Sequence, residues 1–131
     1  MSQGNVDVVR AGLEAWNAGD MDALLETYDP DAIMRAPEGW PEPGPFVGRE
    51  AVMRQFKQLR ATWTADTVEP ITRFNASVDR VVVRVVWHGA GHGHESKMEF
   101  TIAYTVRKGR IYFIEYFWDH ADALEAAGLR E

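Results

Sequence analysis

The sequence has no cysteine among its 131 residues, and this absence excludes several kinds of chemistry. Disulfide bonds, thiol nucleophiles and zinc sites built on cysteine are ruled out, and a reducing compartment, the cytoplasm, is the expected location. A surplus of positive charge is missing as well, since the formal net charge is −6 and the arginines are scattered along the chain. We therefore expect no nucleic-acid partner, because such binding needs a basic surface facing the phosphates.

Long hydrophobic runs are also missing. No apolar stretch approaches the roughly 20 residues of a membrane-spanning helix, and the polar amino terminus lacks the apolar core of a secretory signal. The expected protein is soluble and has no membrane partner. Because 46% of the residues are hydrophobic, residues 1–131 are expected to form a single globular domain with a sizeable core.

Apolar residues at spacings of three and four predict helices in the first half of the chain. The first helix is expected over Val6–Trp16 and ends before Gly19, which can adopt the left-handed conformation. A second, short helix begins after a cap at Asp20 and stops at Pro30, because the residue before a proline avoids helical angles. A third helix is expected over Gly48–Trp63.

From about residue 64 the apolar period changes to two, which is typical of β-strands. Five strands are predicted in all: Ala32–Ala36, Thr67–Phe74, Asp79–His88, Lys97–Arg107 and Arg110–Trp118. A stiff loop with four prolines, Pro37–Pro45, follows the first of them, and Lys108-Gly109 forms a tight turn between the last two. Asp119 then caps a final helix that ends at Gly128.

This order of elements predicts an α+β fold. A curved, mostly antiparallel sheet needs a cover for its apolar concave face, and the amino-terminal helices are the elements available to provide it. The expected architecture is a cone, in which the sheet wraps around those helices and encloses a central cavity. Ligand sites favour concavities of this kind, so a small-molecule ligand is the expected partner.

Three stretches of the sequence resemble one known family. They are residues 8–32, which contain Asn17-Ala-Gly-Asp20, the segment Phe46–Val52, and the turn Lys108–Ile111. Together they resemble the SnoaL-like branch of the nuclear transport factor 2-like (NTF2-like) superfamily, in agreement with the order of elements along essentially the whole chain. The resemblance implies the NTF2-like cone. It leaves the function open, because the superfamily includes ketosteroid isomerases, scytalone dehydratases, limonene epoxide hydrolases, polyketide cyclases and members that only bind or assemble.

The catalytic positions of ketosteroid isomerases fall, by this resemblance, at Gly12, Ala36 and about Ala103. None of these side chains can exchange a proton, so steroid isomerisation by that mechanism is not expected. Similarity to the polyketide cyclases, which use an acid/base carboxylate near the end of the last strands, points to Asp119. The alternative for Asp119 is purely structural, since a carboxylate that caps a helix is held by amide donors.

Glu99 is the second candidate acid/base residue, with Tyr116 as a hydrogen-bond donor. In the register that the resemblance implies, Glu99 faces the cavity, and its alternative is a solvated edge position or an ion pair with Arg84. The same register turns four side chains of the last strand inward and leaves two phenylalanines beside Glu115 on the outer face. The inward set is Tyr112, Ile114, Tyr116 and Trp118, and the outer set is Phe113 and Phe117. Because so apolar an outer face is rarely left exposed, a homodimer through the outer sheet face is expected.

Aromatic residues are more numerous than packing requires, with five tryptophans, four tyrosines and six phenylalanines. A pocket for a flat apolar ligand is a natural use for them. The candidate ligand-binding residues are Trp16, Tyr28, Trp40, Phe56, Trp63, Tyr112 and Trp118. Core packing is the alternative for those on helices, and Trp40, flanked by Glu38 and Glu42, is either a lid or a buried anchor for its loop.

His88, His92, His94 and Glu95 have a spacing that can bring ligands to one side of a metal ion. The glycines between them make this segment a flexible hairpin tip, which is a poor support for a ligand set, so no metal site is expected. No phosphate loop, dinucleotide fingerprint or nucleophile elbow occurs, and no cofactor is expected. Two function classes stay open: cofactor-independent acid/base catalysis of the isomerase, cyclase, dehydratase or hydrolase kind, and a non-catalytic dimeric binding or assembly domain.

Overall fold

A mixed, curved and unclosed sheet of seven strands forms the frame of the molecule. The computed structural model describes residues 2–40, 42, 44–91 and 93–129, without the side chains of residues 2 and 3. Its strands are β1 (Tyr28–Arg35), β2 (Phe46–Val47), β3 (Ala65–Pro70), β4 (Asn75–Ala76), β5 (Arg80–Gly91), β6 (His94–Arg107) and β7 (Arg110–Phe117). Its helices are α1 (Ser2–Ala18), α2 (Met21–Thr27), α3 (Arg49–Thr62) and α4 (His120–Ala126). None of these helices, within the ranges described, is long and apolar enough to cross a membrane.

The strands follow the order β2-β1-β7-β6-β5-β3 across the sheet, and β4 pairs with β5. Among these pairs only β1 and β7 run parallel, whereas the others are antiparallel. One core cluster joins buried residues of α1, α2 and α3 to those of the sheet. The predicted α+β cone, with its mostly antiparallel sheet, is therefore confirmed.

Several predicted strand boundaries need correction. Strands β5 and β6 continue past their predicted ends, and they pair as far as Gly91 with His94. The hairpin tip is thus regular almost up to its turn. In place of the predicted strand Thr67–Phe74, β3 ends at Pro70, which has no N–H with which to continue the ladder, and the short strand β4 begins only at Asn75.

The first strand begins earlier than predicted, at Tyr28 rather than Ala32. Its pairing with β7 shifts register between Tyr28 and Ile33. This irregularity accommodates Pro30, which cannot donate to a ladder and would break a regular strand. Helix α2 consequently passes into β1 without an intervening loop.

The turn between α1 and α2 ties the helices to the sheet. The side chain of Asn17 bonds to both backbone groups of Val68 on β3: Nδ2 donates to the carbonyl at 2.9 Å, and Oδ1 accepts from the N–H at 2.8 Å. Gly19, with a φ of 72°, ends α1. Oδ1 of Asp20 accepts from the Ala23 N–H at 3.0 Å and caps α2. The predicted break and cap are confirmed, and Asn17 adds a clamp between helix and sheet.

Helix α4 lies on the outer face of the sheet and is held at both ends. Oδ1 of Asp119 accepts from the Asp122 N–H at 3.1 Å, which confirms the predicted cap. At the other end, Arg80 donates to the carbonyl of Ala126 at 3.2 Å. The apolar side of the helix packs in a second cluster: Val82, Ala123, Leu124 and Ala127, with Ala103, Phe117 and Leu129 against them. The helix therefore covers part of the outer face that was predicted to be free for a partner.

We expect Asn17→Ala to lower the free energy of unfolding by about 2 kcal/mol, because it removes two hydrogen bonds of about 1 kcal/mol each. Urea denaturation followed by circular dichroism measures this difference. The matched control is Asn5→Ala, which removes one exposed bond to the carbonyl of Val78 and should cost less than about 1 kcal/mol. Equal losses for the two variants would show that the clamp adds nothing beyond an exposed hydrogen bond.

Candidate functional site

An apolar cavity of about 250 Å³ lies between the sheet and helices α1 and α3. Its lining also takes side chains from α2 and from the loop before β2. Most of these residues are buried, but five are only half-buried and lie near the end of α3 and the β5–β6 hairpin. These five are Trp16, Leu59, Trp63, Trp87 and Met98. We infer that the cavity opens to solvent between them.

Aromatic rings form two opposite parts of the wall. The ring of Phe56 meets those of Trp16 and Tyr28 edge-on, at 5.3 and 5.7 Å between centroids. In the other part, the ring of Trp40 lies 4.9 Å from that of Tyr116. Trp40 is 8% exposed, so it is a buried anchor of the proline-rich loop and a wall residue at once. Edge-to-face packing of this kind holds the rings in defined positions.

Three tyrosine hydroxyls are the main polar groups of the wall. Tyr28, Tyr104 and Tyr116 come from the adjacent strands β1, β6 and β7 and are all buried. No group in the described part of the chain forms a hydrogen bond with these hydroxyls. Burial raises the pKa of each, and neighbouring tyrosines raise the pKa of Tyr28 and Tyr104 further. The hydroxyls therefore stay protonated and neutral.

The indole N–H of Trp16 is also unpaired within the described ranges, but it is covered by protein atoms. Its Nε1 atom is buried and has no hydrogen-bond partner among the residues described. The ring is nevertheless held in place, because the guanidinium carbon of Arg60 lies 4.8 Å from its centroid and Arg60 donates to the Trp16 carbonyl at 2.8 Å. Because the Nε1 atom is fully covered, a molecule in the cavity cannot reach this N–H without a movement of the ring.

Asp66 is the one carboxylate on the lining within the described ranges, and its side chain is 3% exposed. Its Oδ1 atom lies 3.0 Å from Nη1 of Arg60, and Oδ2 accepts from the indole N–H of Trp87 at 3.0 Å. Sequence reasoning missed Asp66 because the predicted strand began one residue later, at Thr67. The signal that could have found it is alternation, since Asp66 and Val68 face the cavity together.

The structure brings six of the predicted site residues to the lining and leaves four outside it. On the lining are Trp16, Tyr28, Trp40, Phe56, Trp63 and Tyr116. Outside it are Asp119, Glu99, Tyr112 and Trp118. These four lie elsewhere for different physical reasons.

The predicted orientation of Glu99 is wrong. On β6 the inward residues alternate from Met98 through Phe100 to Tyr104, so Glu99 points to the outer face. There its Oε1 atom lies 3.4 Å from Nε of Arg84, the ion pair that the sequence offered as the alternative. An error of one residue in the phase of a strand reverses every side chain, which is what happened here.

A bulge removes Tyr112 from the lining. Between Thr105 and Val106 the pairing of β6 with β7 shifts register, and Tyr112 is the extra residue on β7. Ile111 faces the cavity instead. The ring of Tyr112 stacks on Arg107, whose guanidinium carbon lies 3.6 Å from the ring centroid.

Trp118 and Asp119 follow the last strand and have structural roles. Trp118 is 41% exposed, and its Nε1 donates to the carbonyl of Glu38 at 2.9 Å. Its ring lies 5.3 Å from that of Trp40, so it braces the proline-rich loop from outside the cavity. Asp119 is exposed and caps α4, which confirms its structural alternative.

Three of the four residues with metal-ligand spacing are described, and none of these three lies on the lining of the cavity. His92 lies outside the described residues, and His88, His94 and Glu95 are exposed on the β5–β6 hairpin. Within the ranges described, no group of three or more His, Asp or Glu residues could hold a metal ion.

The chain is similar in fold to several solved structures. TerC, co-crystallised with polyporic acid, superposes with a TM-score of 0.77 at 21% identity, over 93% of this chain and 96% of that one. An NTF2-like protein of unknown function from Burkholderia pseudomallei K96243 gives 0.76 at 25% identity, over 95% and 97%. A proposed polyketide cyclase from Sinorhizobium meliloti gives 0.70 at 28% identity, over 84% and 93%.

Comparison by sequence identifies the family. No match was found among curated proteins. The model of the SnoaL-like domain, however, matches residues 9–114, which is most of the chain. The chain therefore belongs to the SnoaL-like domain family, as its motifs predicted.

Proposed function

We propose that the cavity binds a small, flat, mostly apolar molecule that carries at least one ketone-like oxygen. The observation that carries this proposal is the set of three tyrosine hydroxyls in an apolar wall, none of which has a hydrogen-bond partner among the described residues. The rings beside them offer flat contact surfaces for the rest of the molecule.

The energetics favour an acceptor oxygen over a purely apolar ligand. A ligand oxygen placed among the tyrosine hydroxyls would gain hydrogen bonds worth about 1 kcal/mol each, which a purely apolar ligand cannot form. The hydroxyls remain neutral donors because burial raises the pKa of Tyr28, Tyr104 and Tyr116. Hydroxyls and rings together supply the polar and apolar contacts, so we propose binding without a cofactor. The similarity to a proposed polyketide cyclase supports this ligand class, since polyketides carry repeated carbonyl groups.

Proton transfer is a second candidate function, and Asp66 is the observation that favours it. It lies on the lining, so it replaces Asp119 and Glu99 as the proposed acid/base residue. The positive charge of Arg60 balances its carboxylate, and the role open to it is that of a general base acting on a C–H next to the ligand carbonyl. The electrons of that bond would pass to the carbonyl oxygen, where tyrosine donors stabilise the enolate.

The binding proposal predicts that 2-tetralone, a two-ring ketone, binds more tightly than tetralin, the same skeleton without oxygen. Quenching of tryptophan fluorescence measures both affinities. Tyr116→Phe removes one hydrogen bond and should weaken 2-tetralone roughly three- to tenfold without affecting tetralin. The matched control is Tyr112→Phe, outside the cavity, which should change neither affinity. Equal binding of the two compounds would reject the donor set as the recognition element, and no binding of either would reject the cavity as the site.

The catalytic candidate predicts that the wild-type chain accelerates exchange of the α-protons of 2-tetralone in D₂O, followed by proton NMR. Asp66→Asn should abolish the acceleration, because the amide cannot take up the proton. Glu99→Gln, which changes the carboxylate on the outer face, is the control and should leave it intact. If 2-tetralone binds but its exchange is not accelerated, the chain is a binding domain without this activity.

We also propose a homodimer through the part of the outer sheet face that α4 leaves free, around the adjacent residues Ile33 and Phe113. Sedimentation at micromolar concentration should give twice the chain mass of 14.8 kDa. Phe113→Asp should give monomers, because it places a charge in an apolar contact. Val78→Asp, at a position 88% exposed between β4 and β5, is the control and should remain dimeric. A wild-type monomer would contradict the proposal.

A further inference from the structure

Gly89 lies beneath two tryptophans at the opening of the cavity. It stands two residues after Trp87 on β5, so its missing side chain would point to the same face as that indole. A Cβ atom at this position would overlap Cη2 and Cζ2 of Trp87 and would lie 3.1 Å from Cδ2 of Trp63. The two indoles can therefore keep their places only while residue 89 has no side chain.

Trp87 is held across the backbone of Gly89 by two contacts. Its Nε1 donates to Oδ2 of Asp66 at 3.0 Å, and Asp66 is the residue directly opposite Gly89 on β3. Its ring also meets that of Trp63 at 5.1 Å between centroids and 72° between planes. The indole thus lies over the backbone of Gly89, with its N–H directed toward Asp66.

A side chain at residue 89 would remove this arrangement. Because the Trp87 ring lies over the backbone of residue 89, a side chain there would push the ring away from the sheet, toward the cavity that it lines. That movement would break its bond to Asp66, whose other partner is Arg60. Trp87, Trp63 and Asp66 all belong to the lining, so the change would be confined to the opening.

We propose that Gly89 determines the size of ligand that the cavity admits, by letting Trp87 lie against the sheet instead of across the opening. Gly89 is a positioning residue, because it acts through Trp87 and does not itself contact the ligand. The size selection rests on the proposed ketone-binding function. The positioning of Trp87 does not, and it can be measured without any ligand.

The ligand-free test is the exchange of the Trp87 indole N–H with solvent, measured by ¹H–¹⁵N NMR. Its resonance is assigned by its disappearance in Trp87→Phe. Gly89→Ala should raise the exchange rate at least tenfold, because the bond to Asp66 is lost. An unchanged chemical shift and exchange rate in Gly89→Ala would overturn the positioning role.

The ligand test compares 2-tetralone with 9-fluorenone, a ketone with three fused rings. Gly89→Ala should weaken 9-fluorenone at least tenfold and 2-tetralone less than threefold, because only the larger molecule needs the full opening. Equal losses for both ketones would overturn the size selection. If neither ketone bound to the wild-type chain, the proposed function and the size selection would both be overturned. The exchange of the Trp87 N–H would still test the positioning role of Gly89.

A second variant separates this effect from a general disturbance of β5. In Gly89→Ala combined with Trp87→Phe, the phenyl ring lacks the outer atoms that overlap a Cβ at residue 89. The double variant should therefore bind 9-fluorenone within threefold of the Trp87→Phe single variant. A double variant as weak as Gly89→Ala would show that alanine acts on the strand itself, and it would overturn the proposal.

Discussion

The ion pair between Arg60 and Asp66 is the interaction on which the cavity depends. Arg60 on α3 also donates to the Trp16 carbonyl on α1, and Asp66 on β3 also accepts from Trp87 on β5. The Asp66 side chain is buried, whereas that of Arg60 is 23% exposed, and the desolvation of Asp66 offsets much of the attraction between the charges. Loss of Arg60 would still cost roughly 3–5 kcal/mol, since the carboxylate of Asp66 would remain buried without its partner. The pair is therefore best understood as a geometric constraint that joins four elements at the opening of the cavity.

Much of the fold could be predicted because its signals are local. Gly19 and Asp20 end one helix and begin the next within two residues, and Asp119 caps α4 with a bond to the residue three positions on. The turn at Lys108-Gly109 is also determined by neighbouring residues, and its φ values are 54° and 77°. Lys108 is unusual there, but two positive φ values suit the twist of a tight hairpin. None of these features needs information from a distant part of the chain.

The faces of the strands could not be predicted in the same way. A bulge at Tyr112 changes which residues of β7 face inward, and nothing in the local pattern marks its position. The resemblance supplied the assignment of β6 residues to the two faces of the sheet, and it turned Glu99 toward the cavity. Asp66 was missed because it lies one residue before the start of the predicted strand. The positions of the aromatic residues on the helices were predicted correctly, because the spacing of three and four residues determines the buried side of Trp16 and Phe56. Convergence of Tyr28, Tyr104 and Tyr116 depends on strand order, which no short stretch of sequence contains.

The position of β7 has a consequence for how the chain can fold. This strand is the last of the sheet in chain order, yet it lies between β1 and β6 and, among the described strands, it alone joins the β1–β2 pair to the others. The hairpin of β5 and β6 can form from neighbouring residues, but β1 must wait for a partner about 80 residues further along, which gives the sheet a high contact order. Until β7 has been synthesised, no strand can join Tyr28 on β1 to Tyr104 on β6. The wall that carries their hydroxyls exists only once residues 110–117 have been added between them.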